Sequence, residues 1–401
     1  MTTPVTLLRR AACARDTPTF PGIDRLGAFL VVLGAFGLAL LPFVTFKENR
    51  ILPGDPRGLA QVLPSWTALG CDAALAAVAA LALLAKSALL RLAAAAAGIV
   101  VTAAALAAAA NALTPPHDLI VRVAPAAGFW LLLAALGLLA TDAITRMRPE
   151  PVTRVLLLAV FLGVAWLTLT HGAFDNVSVM REYAANAPAF AIAARQHILL
   201  SIGSSGAAFI VALPLGMLCH RMRRLRPGVL GALNLIQTIP SIALFGILMA
   251  PLGALAAHVP WAAAMGLRGI GAAPAVLALI LYALLPISAN TVAGLERVSP
   301  AAVEAARGMG MTRWQRLMTV ELVLALPVIL AGTRIALVQN IGMVTVAALI
   351  GGGGFGTFVF GGIGQAASDL VLLGAIPTVA LAFSAAVLLD ALIELVQRLP
   401  R

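Results

Sequence analysis

The sequence predicts an all-α polytopic membrane protein of about ten transmembrane helices. Three observations predict it. Of the 401 residues, 61% are hydrophobic and only 11% charged, with a mean hydropathy of +1.01, too apolar for a water-soluble globule. Apolar stretches long enough to cross ~30 Å of hydrocarbon at ~1.5 Å per residue recur along the chain. The basic residues also concentrate in every second segment between those stretches, as a correctly placed set of spans requires.

The spans are read at 26–46, 66–85, 92–112, 123–143, 155–170, 197–219, 229–250, 272–293, 326–350 and 370–395. The alanine-rich pieces at 73–80 and 93–110 are the weakest of them, because alanine is only marginally hydrophobic and such runs also read as low-complexity soluble helix. With the N-terminus inside, nineteen Lys and Arg residues fall in inner segments and seven in outer ones, with Arg334 alone inside a span. Both termini are therefore expected in the cytoplasm. A net charge of +11 could suit nucleic acid, but its spread over the inner loops is explained by topology, and no nucleic-acid partner is expected. Trp66, Trp130, Trp166 and Trp261 lie near proposed outer boundaries, where an interfacial aromatic belt would place them. The first span runs on without a small-residue cleavage pattern and is expected to remain uncleaved.

This gives a cytoplasmic segment at 1–25, five helices over 26–170, a turn-rich extracytoplasmic linker at 171–195, five more helices over 196–395 and a tail at 396–401. The linker is marked by His171, Asp175, Asn176 and Pro188. Between the third and fourth helices of the second set lies a cytoplasmic loop at 294–325.

That loop carries the most specific local pattern. Ser299 can N-cap a short helix beginning at Pro300, where proline's missing N–H costs nothing. Gly308 and Gly310 end it. Thr312 and Gln315 have capping-box spacing and start a second helix through Leu317, Val320 and Leu324 into the membrane. The hairpin Glu304-Ala305-Ala306-Arg307-Gly308-Met309-Gly310 resembles the hallmark of the membrane-spanning permease subunits of ABC importers: Glu-Ala-Ala, three residues, Gly, then an apolar segment. By that resemblance, residues 196–395 form a type I ABC importer permease core, and Glu304, Ala305, Ala306, Gly308 and Gly310 couple it to an ATPase. The family often places Leu-Pro about eighteen residues after the glutamate. Here Leu322-Val323 stands there and the proline comes at Pro327, so the second helix should continue further before bending.

Two further segments narrow the resemblance. Gln237-Thr238-Ile239-Pro240-Ser241 and Ala347-Ala348-Leu349-Ile350-Gly351-Gly352-Gly353-Gly354-Phe355-Gly356, with Gly374-Ala375-Ile376-Pro377 later, resemble permeases for glycine betaine, choline, carnitine and related osmoprotectants. The five extra N-terminal helices resemble a longer branch of that family. The resemblance implies two ATP-binding subunits, a second permease copy or paralogue, and an extracytoplasmic substrate-binding protein. It also implies the bacterial inner membrane, with ATP and Mg bound by the partner ATPase and no cofactor in this chain.

Polar groups within the spans mark candidate pathway residues, since each is costly against lipid. These are Asp72, Asn111, Asn234, Gln237, Asn290, Arg334, Gln339, Asn340 and Asp390. Pro240 removes a backbone hydrogen bond in mid-span, and Thr238 or Gln237 could satisfy the freed carbonyls. Gln339 and Asn340 are expected to line the pathway, and Gly353 and Gly354 to belong to an outer gate. Arg334 and Asp390 lie at similar depths on antiparallel spans and are expected to pair; snorkelling, or pairing of Arg334 with Glu394 or Glu321, is the alternative.

Other chemistry is excluded. Gly351, Gly353 and Gly356 fit GxGxxG but open no βαβ unit, and the only lysines, Lys47 and Lys86, sit in no P-loop. No HExxH, paired carboxylates or metal-ligand spacing of Cys13, Cys71 and Cys219 occurs, so neither a catalytic nor a metal site is expected. The five histidines read as surface or boundary residues. An ion-driven secondary transporter would be expected to repeat its halves and carry intramembrane carboxylates; here the halves differ. A membrane anchor would leave the hairpin and glycine run unexplained. A permease for another small solute remains the nearer alternative.

Overall fold

A computed structural model describes residues 24–49, 54–116, 118, 120–264 and 266–398. The chain divides into two compact units after Pro149. The first contains helices α1 (Arg25–Leu40), α2 (Ser65–Leu84), α3 (Ala88–Leu113) and α4 (Ala127–Met147), with strands β1 (Val44–Lys47), β2 (Asp55–Arg57) and β3 (Arg122–Pro125). The second contains α5 (Pro151–Thr170), α6 (Ser178–Arg221), α7 (Arg226–Thr238), α8 (Ser241–His258), α9 (Ala272–Glu296), α10 (Pro300–Gly308), α11 (Arg313–Ile350), α12 (Gly356–Gly364) and α13 (Ser368–Arg398).

Among the described residues, nine helices are long and apolar enough to span a bilayer, and each expected span overlaps one of these, except the first, which overlaps the shorter α1. The first is shorter than expected. α1 has 16 residues, about 24 Å at ~1.5 Å each, because residues before proline are driven out of the helical region and Pro42 follows closely. The chain there turns into β1, which pairs antiparallel with both β2 and β3 in the order β2-β1-β3, Val44 opposite Arg57 and Pro125. The sequence reading contained no strand. Residues 44–46 and 123–125, expected in the first and fourth spans, belong to this sheet.

In the first unit Leu30 of α1, Ala82 of α2, Ala95 of α3 and Leu139 of α4 pack together. The starts of α1 and α3 and the ends of α2 and α4 meet at a charged cluster. Arg91, 2% exposed, donates to Asp24, to Asp142 at 3.3 Å and to the Ala82 carbonyl at 2.7 Å. Arg146 reaches Asp24 at 3.1 Å and Asp142 at 2.8 Å. Burying one guanidinium against two carboxylates is tolerable where a single ion would cost several kcal/mol. Burial pushes the Asp24 carboxyl up, but the hydrogen bonds from Arg91 and Arg146 outweigh it and hold it below the usual carboxylate range.

In the second unit α9 is central, packed by Ala283, Leu284 and Ile287 against Ala208 and Ala212 of α6, Leu233 of α7 and Ala336 of α11. Gly332 lets α11 approach α9 closely: a Cβ there would stand 2.6 Å from the Pro286 carbonyl. Two boundaries differ from expectation. The segment 171–195 is helical from Ser178 onward, because Ala184, Ala185, Ala187 and Ala189 favour helix strongly enough to absorb Pro188. α6 therefore runs 44 residues, about 66 Å and roughly twice the hydrocarbon thickness. The division after Pro149 also groups α5 with the second unit, not with the four helices before it.

Candidate functional site

The hairpin between α9 and α11 folds as its residues dictate. Ser299 stands at the N-cap of α10 with Pro300 at the first helical position, although no side-chain cap bond forms. Gly310 turns with φ +77°, a left-handed conformation that glycine adopts without steric cost. The Met311 N–H closes the turn on the Ala306 carbonyl at 3.2 Å. The capping box then starts α11: Thr312 Oγ1 accepts from the Gln315 N–H at 3.3 Å, and Gln315 Oε1 from the Thr312 N–H at 2.9 Å.

This fold presents one face outward. Glu304, Ala305, Gly308 and Gly310 are exposed, Glu304 accepting from its neighbour Arg307 at 3.2 Å, whereas Ala306 is 1% exposed and seats α10 on its own subunit. Met309 and Trp314, which the sequence reading passed over, are 69% and 63% exposed. Their signal was available: large apolar residues within a charged loop at a membrane face. α11 continues without interruption past Pro327, as expected, but its irregularity lies earlier, in a π-helical turn at Leu317–Glu321 bridged by Arg316 and Glu321 at 2.7 Å. Such turns commonly occur at functional positions.

The polar residues of the second unit separate into two groups. At Pro240 the seventh span is broken, not merely bent: α7 ends at Thr238 and α8 begins at Ser241. The break is satisfied from α9, where the Tyr282 hydroxyl donates to the Ile239 carbonyl and Gln237 Nε2 donates to the Tyr282 carbonyl at 2.7 Å. Thr238 instead bonds Leu235 within its own helix. Gln339 is half-buried, its amide 3.7 Å from Met343 Sδ. Asn340 is fully buried, and its Nδ2 donates to Ser204 and Ser205 at 3.0 and 3.1 Å. It joins α11 to α6 and lines no open path here.

The glycine run forms a pinned turn. Gly351, Gly353 and Gly354 have φ of +80°, +80° and +82°. Gln196 and His197 of α6 reach this turn: Gln196 Oε1 accepts from the Gly354 N–H at 3.1 Å and His197 Nδ1 from the Phe355 N–H at 3.3 Å. His197 Nε2 faces the Ile341 carbonyl at 3.0 Å, so the neutral Nε2–H tautomer satisfies both sides. A Cβ at Gly353 would stand 2.2 Å from Gln196 Oε1. His197, expected at a surface or boundary, is fully buried; both ring nitrogens find partners only once the turn packs beside it. Arg334 donates to Asp390 between α11 and α13. The alternatives are otherwise engaged, Glu394 with Arg154 and Arg398, and Glu321 with Arg316.

Comparison with known proteins divides the chain later, beyond α5. Residues 24–180 match the family described as the N-terminal domain of the ABC transporter permease YehY, and residues 212–400 the family described as the inner membrane component of binding-protein-dependent transport systems. The osmoprotectant import permease protein OsmW of Salmonella typhimurium is 47% identical over 181 residues, 45% of this chain and 79% of that protein. The glycine betaine/carnitine/choline transport system permease protein OpuCB of Bacillus subtilis is 36% identical over 187 residues, 47% of this chain and 79% of that protein. An inward-facing structure of the MetNI methionine ABC transporter aligns at TM-score 0.46 and 23% identity over 52% of this chain and 97% of that one.

Proposed function

The chain belongs to the permeases of binding-protein-dependent ABC importers, and from that premise we propose that it carries a quaternary-ammonium osmoprotectant such as glycine betaine, choline or carnitine. The observation that carries the substrate class is the 47% identity to an osmoprotectant import permease over 181 residues, 79% of that protein. In this reading the chain is a transport subunit. Two partner ATPases bind ATP and Mg and hydrolyse the nucleotide, and an extracytoplasmic binding protein delivers the solute. A second permease copy or paralogue completes the pathway.

Glu304, Ala305, Gly308 and Gly310, with Met309 and Trp314 beside them, form the face that meets the ATPase, and the buried Ala306 holds its shape. The outer end is closed by the turn at Gly353 and Gly354, with Gln237, Pro240, Gln339 and Asn340 on the elements that rearrange during transit. Cation–π attraction favours an aromatic cage for a quaternary ammonium group, and in this reading the binding protein supplies it. Both termini face the cytoplasm of a bacterial inner membrane.

Reconstitution tests this. Proteoliposomes containing the chain, its ATPase and its binding protein should accumulate labelled glycine betaine or choline only with ATP and binding protein present. Uptake by the purified chain alone under an ion gradient would overturn the reading. For orientation, Arg313→Cys in a background lacking native cysteines should react with an impermeant thiol reagent only from the cytoplasmic side.

A further inference from the structure

Within the first unit, α1 and α2 are splayed over α4 and leave a cavity of about 330 Å³. Its walls include Leu30 and Gly34 of α1, Leu75 and Val78 of α2, and Leu136 of α4. Protein interiors hold few voids larger than a water molecule, and about 150 Å³ of apolar space suffices to bind benzene. This cavity is roughly twice that, and it lies among helices that cross the bilayer.

One lining residue is charged. Asp72 of α2 borders the cavity, is exposed, and has no hydrogen bond or ion pair among the described residues. Trp66, 77% exposed near the start of α2, marks the interface, and Asp72 lies six residues further on, ~9 Å along the helix. Side chains tilt toward a helix's N-terminus, which for α2 is the sheet side. The carboxylate is therefore carried up toward the headgroups, away from the hydrocarbon centre where it would be most costly. The site thus combines an apolar slot with an uncompensated negative charge at its headgroup end.

We propose that this cavity binds one acyl chain of an aminophospholipid, with the lipid's primary ammonium held by Asp72. A primary ammonium supplies three hydrogen-bond donors to a carboxylate. A quaternary ammonium supplies none and is favoured by aromatic faces, which the lining lacks. An anionic headgroup would be repelled. The charged cluster of Asp24, Arg91, Asp142 and Arg146 ties the helices together beyond the opposite end of the slot.

The full chain purified into nanodiscs of phosphatidylethanolamine and phosphatidylglycerol in equal parts, followed by native mass spectrometry, reads this directly and does not depend on the transport assignment. The wild type should retain phosphatidylethanolamine selectively. Asp72→Asn should lower that preference roughly tenfold, the scale of one lost hydrogen bond to a charged group. Ala79→Leu, which places a larger side chain in the lining, should reduce retention of either lipid. Ala80→Leu, outside the lining, should leave it unchanged and controls for folding. Equal retention of both lipids by the wild type, an unchanged preference in Asp72→Asn, or full retention in Ala79→Leu would each overturn the proposal.

Discussion

Arg334 of α11 donates a hydrogen bond to Asp390 of α13, joining two membrane helices through opposite charges. Neither side chain has another charged partner among the described residues, since the nearby glutamates are engaged elsewhere. Arg334→Ala should leave an uncompensated carboxylate against lipid, at a cost of roughly 3 kcal/mol. Membrane abundance or uptake should fall in Arg334→Ala and in Asp390→Ala. The charge swap Arg334→Asp with Asp390→Arg should restore part of the loss. Strictly additive defects in the double-mutant cycle would show that the residues act independently.

Gly310 tests the hairpin. At φ +77° a β-branched side chain is strained, by about 1–2 kcal/mol or more, although no neighbouring atom would obstruct its Cβ. Gly310→Val should therefore disturb only the turn. Uptake and ATPase stimulation should fall while the permease inserts and purifies normally. Wild-type values for both would remove the coupling role.

The glycine turn gives a third expectation. His197→Leu strands the Phe355 N–H in a buried site, a loss of about 1–3 kcal/mol for a group left unpaired. His197→Gln keeps one donor and one acceptor and should recover most of the loss. Thermal unfolding in detergent measures the first effect, and uptake shows whether the turn matters to transport. Equal melting of wild type and His197→Leu would mean that these bonds contribute nothing.

In the first unit the prediction concerns pH. The folded-state carboxyl of Asp24 lies below its ordinary value, which is about 3.9. Its contribution to stability is therefore full above that unfolded value and disappears as pH falls through the depressed folded one. Asp24→Asn should lower stability at neutral pH and flatten its dependence below about pH 4. An unchanged acid profile would show that the Arg91 cluster is held by Asp142 alone.

Much of this architecture is legible in the residues because bilayer physics acts locally. A helix must satisfy its own backbone bonds in hydrocarbon, so apolar length places the spans. The hairpin is equally local: Pro300, Gly310, Thr312 and Gln315 each act within one turn of chain. Even the Arg334–Asp390 pair follows from depth on antiparallel spans. The sheet does not, because strands of three and four residues at 44–47, 55–57 and 122–125 gain stability only from one another. Nor do the burial of His197, the engagement of Asn340 with Ser204 and Ser205, or the slot beside Asp72. Each depends on which helix faces stand together, and side-chain periodicity gives a helix an apolar face without naming the partner that covers it.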